Sequence, residues 1–207
     1  MLCIWPTEFN SEESKVKSLL TLTALIAAAA TWSAPASAVN IKTFNMVASS
    51  SSCVPGASGR VTVALRDGFE SLHLEASGLP AKTTFTFFVI QVPKAPFGMA
   101  WYQGDVTTNS QGDAVGDFAG RFSIEDFVVA QGSAPAPKVH AGDAGSNPAT
   151  GPVHMYHLGM WFDSFNDAGK AGCPNNVTPF NGDHTAGVQV LNTSNFPDKQ
   201  GPLRDLK

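Results

Sequence analysis

Val153-His154-Met155-Tyr156-His157-Leu158-Gly159-Met160-Trp161-Phe162 is the densest apolar and aromatic run in the second half of the chain. Its reading decides between a helix carrying a metal site and a buried strand. In a helix, His154 and His157 would share a face. In a strand, an offset of three sends them to opposite faces. Pro152 and Gly159 bound the run, and its neighbours are β-like. A strand is therefore predicted over 153–162, and the HxxH spacing loses its force as a metal motif.

Downstream of that run, Asp163 to Cys173 (DSFNDAGKAGC) predicts one short helix or turn. Asn175 to Asp183 is a polar loop. Thr185 to Leu191 alternates, with Ala186, Val188 and Val190 on one side. Leu203 and Leu206 tack the tail onto the body. Upstream, Gln131 to Gly151 is a long irregular segment rich in Gly, Ala, Pro and Ser, which reads as a loop insertion. Earlier still the pattern is strand after strand. Ile41 to Ala48 is a first strand. Val61, Val63 and Leu65 point one way, and Asp67-Gly68 turns the chain. Leu72, Leu74 and Ala76 face a core while His73 and Glu75 face water. Thr83 to Val92 carries Phe85, Phe87 and Val89 on one face and Thr86, Phe88 and Ile90 on the other. Such a strand is central and covered on both sides, or it lies in an interface. Trp101 and Tyr102 fall on opposite faces of the next strand. Thr107 to Asp113 (TTNSQGD) turns the chain again, so 97–130 reads as a meander of antiparallel hairpins. These eight or nine short strands predict an all-β fold: an antiparallel, two-sheet, Greek-key-like sandwich with a long loop insertion. A barrel is the alternative closure.

The chain's beginning carries a different signal. Lys15 and Lys17 precede the uncharged run Ser18 to Ala30, and Ala36-Ser37-Ala38 supplies small residues for cleavage. Residues 1–38 thus read as a signal peptide with an N-terminal extension, and 39–207 as a single secreted domain. A membrane anchor is the competing interpretation, but the uncharged run is short for a bilayer. Cleavage after Ala38 would remove Cys3 and leave Cys53 and Cys173. In an oxidising compartment their default state is one disulfide.

From Val39 onward, 11 Lys or Arg stand against 14 Asp or Glu, with no basic cluster. That charge pattern argues against nucleic acid as a partner. No transmembrane segment follows the signal. From Val39 onward the catalytic motifs G-x-S-x-G, S-x-x-K and H-E-x-x-H are missing. What remains is a cross-strand metal set drawn from His157, His184 and Asp183, with zinc or copper as the natural ion. The alternative for His157 is a hydrogen-bonded core histidine. Asp143, Gly145 and Asn147 resemble a fragment of a calcium loop but lack its closing Glu. No cofactor is otherwise called for. Trp101, Tyr102, Tyr156 and Trp161 are the candidate binding aromatics, set against the plainer role of core filling.

Val61-Thr62-Val63, Leu72 through Ala81 (LHLEASGLPA), Thr107 through Asp113 and Gly116-Asp117-Phe118 follow one another in an order that resembles secreted bacterial β-sandwich proteins, similar to copper–zinc superoxide dismutase and chordin-type domains. The resemblance covers roughly residues 60–122 and rests on turn motifs. It implies a sandwich. It does not carry the dismutase activity, which needs closely spaced histidines on one strand face. The expectation for function is a secreted or cell-surface, non-catalytic binding or self-assembling protein. Its partner would be itself, a cell-surface protein or a glycan. The alternative is an extracellular metal-dependent enzyme using the His/Asp set.

Overall fold

Alternating apolar and polar residues dictate strands that bury one face. A computed structural model, which describes residues 40–49, 53–122, 139, 153–178 and 185–206, contains eight of them. They are β1 Ile41–Ala48, β2 Ser58–Arg66, β3 Phe69–Ser77, β4 Thr84–Ile90, β5 Ala100–Thr107, β6 Ala114–Gly120, β7 His157–Phe162 and β8 Gln189–Asn192. One short helix, α1 at Phe165–Lys170, follows β7. The readings of residues 1–38, of His184 and Asp183, of the calcium-like fragment and of all but Val139 in the long loop fall outside the described residues.

The two-sheet sandwich is not what forms. All eight strands belong to one antiparallel sheet in the order β5-β4-β7-β8-β1-β2-β3-β6, and the sheet nearly closes into a barrel. Its two halves join at a narrow bridge, where Val47 pairs with Asn192 and Ala48 with Leu191. Ser49 extends the bridge by donating from its N–H to Val190 O at 3.0 Å. Alternation reports that a face is buried, but not whether it is buried against a second sheet or against the same sheet curled round. That is why the sandwich was the expected closure.

The hairpin meander is also corrected. β5 and β6 are consecutive in sequence but sit at opposite ends of the strand order. Their connecting loop is well-formed turn chemistry: Asn109 Oδ1 accepts from the N–H of Gln111 at 2.8 Å and of Asp113 at 3.0 Å. Two of the loop's carbonyls then bind the β3–β4 connection. Leu79 N–H donates to Gly112 O at 3.1 Å, and Lys82 N–H to Asn109 O at 3.1 Å. Gly112, at φ 84°, lies against the carbonyl of Leu79, where a side chain would collide. A turn that looks like a hairpin tip instead ties two connections together at one end of the barrel.

The opening stretch is partly a strand. The ladder begins only at His157. Val153 and Met155 are still buried, but Tyr156 O is taken by Leu203 N–H at 3.1 Å, so the C-terminal segment replaces a strand neighbour there. Leu203 and Leu206 are buried, as the tail's apolar residues predict. In the same way the run Thr185 to Leu191 contributes a ladder only from Gln189.

Two apolar clusters result. The larger fills the barrel and includes Met46, Val61, Val63, Leu72, Leu74, Phe85, Phe87, Leu158, Met160 and Phe162. The smaller lies on the outer face of β4 and β7 and consists of Phe88, Ile90, Ala100, Trp161 and Ala186, with Phe97 packed against it. Strand β4 is thus central and covered on both faces by its own chain. Cys53 and Cys173 form the expected disulfide, closing a separation of 120 residues. Closing so long a loop contributes about 2–5 kcal/mol. The predicted short helix is capped by Ser164, whose Oγ accepts from Asp167 N–H at 3.1 Å. Lys170 Nζ donates to Asp167 Oδ1 at 2.8 Å, and that contact, with Ser164, holds the Asp167 carboxyl below its ordinary range despite the opposing effect of burial.

Candidate functional site

The site arises where the barrel fails to close. β5 and β6 face each other across a seam and share no ladder. One end of the seam is shut by side chains. Phe118 of β6 lies inside and stacks on Phe87, with ring centroids 5.1 Å apart and planes 22° apart. Glycines make that possible. A Cβ on Gly104 would stand 2.9 Å from Phe118 Cε1, and one on Gly116 would stand 2.6 Å from Val106 Cγ1. Small residues on both edges let an aromatic ring and a valine take the place of hydrogen bonds.

Toward the other end the edges part. A cavity of about 350 Å³ opens there, lined by Val89 of β4, Trp101 and Gln103 of β5, Ala119 through Phe122 at the end of β6, and Met155. A bulge in β5 sets its lining. The register with β4 passes from Phe87–Gly104 to Phe88–Tyr102, leaving Gln103 as the extra residue. Trp101 is then opposite Val89 on the inner side, and Tyr102 opposite Phe88 on the outer side. Trp101 remains 39% exposed, while Val89, Phe122 and Met155 are buried. Two polar side chains stand at the rim. Gln103 Nε2 reaches Trp101 O at 3.3 Å, and Arg121 Nη1 reaches Gly68 O at 3.4 Å, both long contacts.

The four candidate binding aromatics do not form one groove. Trp101 lines the cavity. Tyr102, on the other face, meets Phe88 edge-on at 5.6 Å. Its hydroxyl bonds Asp105; burial first, and then that carboxylate's hydrogen bond and charge, push the Tyr102 phenol up from 10.0 to about 12. Burial likewise raises the Asp105 carboxyl; the charge of Asp163 adds to this, and the Tyr102 hydrogen bond opposes it. Trp161 is fully buried between Phe88 at 5.5 Å and Phe97 at 5.1 Å. Tyr156 is half-buried, its ring 5.6 Å from that of His154.

The metal set is not assembled from what is described. His184 and Asp183 lie outside the described residues. His157 is fully buried, with Nδ1 2.9 Å from Thr193 Oγ1 and Nε2 3.1 Å from Asp198 O. A carbonyl only accepts, so Nε2 carries a proton. Both nitrogens are engaged, and a metal would have to displace one of these partners. Among the described residues no three His, Cys, Asp or Glu side chains are placed to hold a metal ion.

Sequence reasoning missed Gln103, Arg121 and Met155 as neighbours of Trp101, because nothing periodic marks two strand edges that meet without pairing. It also missed Glu70, buried on the inner face beside Gly120, which lines the cavity. A signal existed for Glu70: it shares the phase of Leu72 and Leu74. The arrangement as a whole can enclose an apolar group and bond its polar end. No family model, curated protein or solved structure matches this chain.

Proposed function

We propose that this is a secreted or cell-surface, non-catalytic binding protein that holds a small ligand in the seam cavity. One observation carries the proposal: a cavity of about 350 Å³ persists where β5 and β6 part, with Trp101 only partly covered at its wall. That volume lies within the usual range of small-molecule sites, roughly 300–1,000 Å³, and barrel mouths are a preferred place for them. An apolar lining with a few polar groups at the rim suits binding and orientation. Export is supported by the basic, apolar and small-residue succession before Val39 and by a disulfide of the kind oxidising compartments preserve. Among the described residues no helix is long and apolar enough to cross a membrane.

Self-assembly has less behind it. Its sequence argument was the two-faced β4, and Trp161, Phe97, Ala100 and Ala186 of the same chain pack on that second face.

The test is a titration of the ¹³C-methyl-Met and ¹⁵N-labelled protein with small aromatic fragments. Saturable shifts of the Met155 methyl and the Trp101 indole are expected. A set of fragments that leaves both resonances unmoved would contradict the proposal.

A further inference from the structure

We propose that the occupant of the seam cavity is an organic acid with a flat apolar body, its acid group bound by Arg121 and its body lying against Trp101. This rests on the binding function proposed above and narrows it to one chemical class.

The charge pattern of the lining is the first argument. Among the described lining residues Arg121 alone is charged, in a chain whose formal net charge is −4. Its guanidinium is permanently charged and offers five donors in a planar fork shaped for a carboxylate or sulfonate. Among the described residues its guanidinium meets the Gly68 carbonyl, at 3.4 Å, and no carboxylate forms an ion pair with it. Glu70, paired across the sheet with Gly120, is buried and has a partner of its own.

The shape of the lining is the second. Trp101 is turned to the inner side by the β5 bulge, yet is 39% exposed, so an indole surface is left for a ring to lie on. Val89, Phe122 and Met155 supply the remaining apolar wall. Aromatic rings gain from offset stacking beyond the area they bury. Gln103, whose amide nitrogen makes only a 3.3 Å contact, adds a second donor on the β5 side.

The test uses two probes that share a ring system. Purified full-length protein is titrated with 1-anilinonaphthalene-8-sulfonate and with N-phenyl-1-naphthylamine, which lacks the sulfonate, reading probe fluorescence. The sulfonate is expected to bind more tightly. Arg121→Gln should weaken the sulfonate roughly ten- to hundredfold, the worth of a hydrogen bond to a charged group, and leave the neutral probe unchanged. Trp101→Ala should weaken both, and Tyr102→Ala, on the other sheet face, neither. Circular dichroism checks each variant's fold, and the Met155 methyl shift on adding the sulfonate probe replaces Trp101→Ala if that variant does not fold. Equal binding of the two probes, unaffected by Arg121→Gln, overturns the organic-acid assignment and leaves the cavity reading standing. Failure of both probes to bind, or binding indifferent to Trp101→Ala and silent at Met155, overturns the cavity reading itself.

Discussion

The two halves of the sheet solve the same problem differently. In β1-β2-β3-β6 the outer face belongs to water. One row across its four strands reads Thr43, Thr62, His73, Asp117, with Thr43 Oγ1 3.2 Å from Thr62 Oγ1 and His73 Nδ1 2.7 Å from Asp117 Oδ1. In β4-β7-β8 the corresponding face is a second core, with β5 at its rim. Its rows are Tyr102, Phe88, Gly159, Asn192 and Asp105, Thr86, Trp161, Gln189. Gly159 lets the Trp161 ring fold over it, since a Cβ there would stand 2.5 Å from the indole. Gln189 is buried yet satisfied: it accepts from Ser49 Oγ at 3.0 Å and Asn192 Nδ2 at 2.8 Å, and donates to Pro93 O at 3.2 Å. A half-wet sheet and a doubly covered one meet edge to edge at the seam, and there the ladder stops.

This contrast can be broken most forcefully at Phe88. Phe88→Ala should cost about 3–5 kcal/mol, the usual loss for a buried ring. His73→Ala, its counterpart on the wet face, should cost about 0–1 kcal/mol, because its hydrogen bond with Asp117 is exposed. Urea unfolding of the two variants would measure the difference; similar costs would mean that the outer cluster is not a core.

A smaller effect sharpens the same point. Thr86 Oγ1 is buried beneath that cluster and has no hydrogen-bond partner among the described residues. Thr86→Val removes an unsatisfied hydroxyl at nearly constant shape and should raise stability by about 1 kcal/mol. A loss of stability would show that the hydroxyl is bonded in solution.

The smallest expected effect lies at the rim of the outer cluster. Tyr102 has its phenol raised from 10.0 to about 12, so the folded state holds that proton more tightly than the unfolded chain does. Its contribution is fully present below the unfolded value of 10.0 and is lost as pH rises through about 12. Across that window wild-type stability should fall more steeply than that of Tyr102→Phe. Parallel pH profiles would remove the contact with Asp105 from the account.

Much of the wet half was legible because its residues alternate. Val61, Val63, Leu72, Leu74 and Ala76 are buried as their phase requires, and His73 is left at the surface. In the covered half the same reasoning found a two-faced strand in β4. It could not find what covers it, since Phe97, Trp161 and Ala186 come from segments far apart in sequence. The Cys53–Cys173 bond followed from there being one pair after Val39. Closure of the sheet did not follow, because the β1–β8 bridge is two residue pairs long and carries no local signature. Nor did the site. Its tryptophan was singled out, but its partners Gln103, Arg121 and Met155 depend on a bulge and on an edge that only the assembled barrel defines. The histidine pair fared differently again. His157 is a core residue held by Thr193 and Asp198, and His154 lies before the strand begins.

The two apolar regions, seam cavity and outer cluster, also offer a bound probe two different addresses. The most direct test is therefore a set of intermolecular nuclear Overhauser contacts from bound 1-anilinonaphthalene-8-sulfonate. Contacts to the Met155 methyl and the Trp101 indole are the predicted result. Contacts confined to Phe88, Ile90 and Tyr102, or none at all, would contradict a ligand site at the open seam.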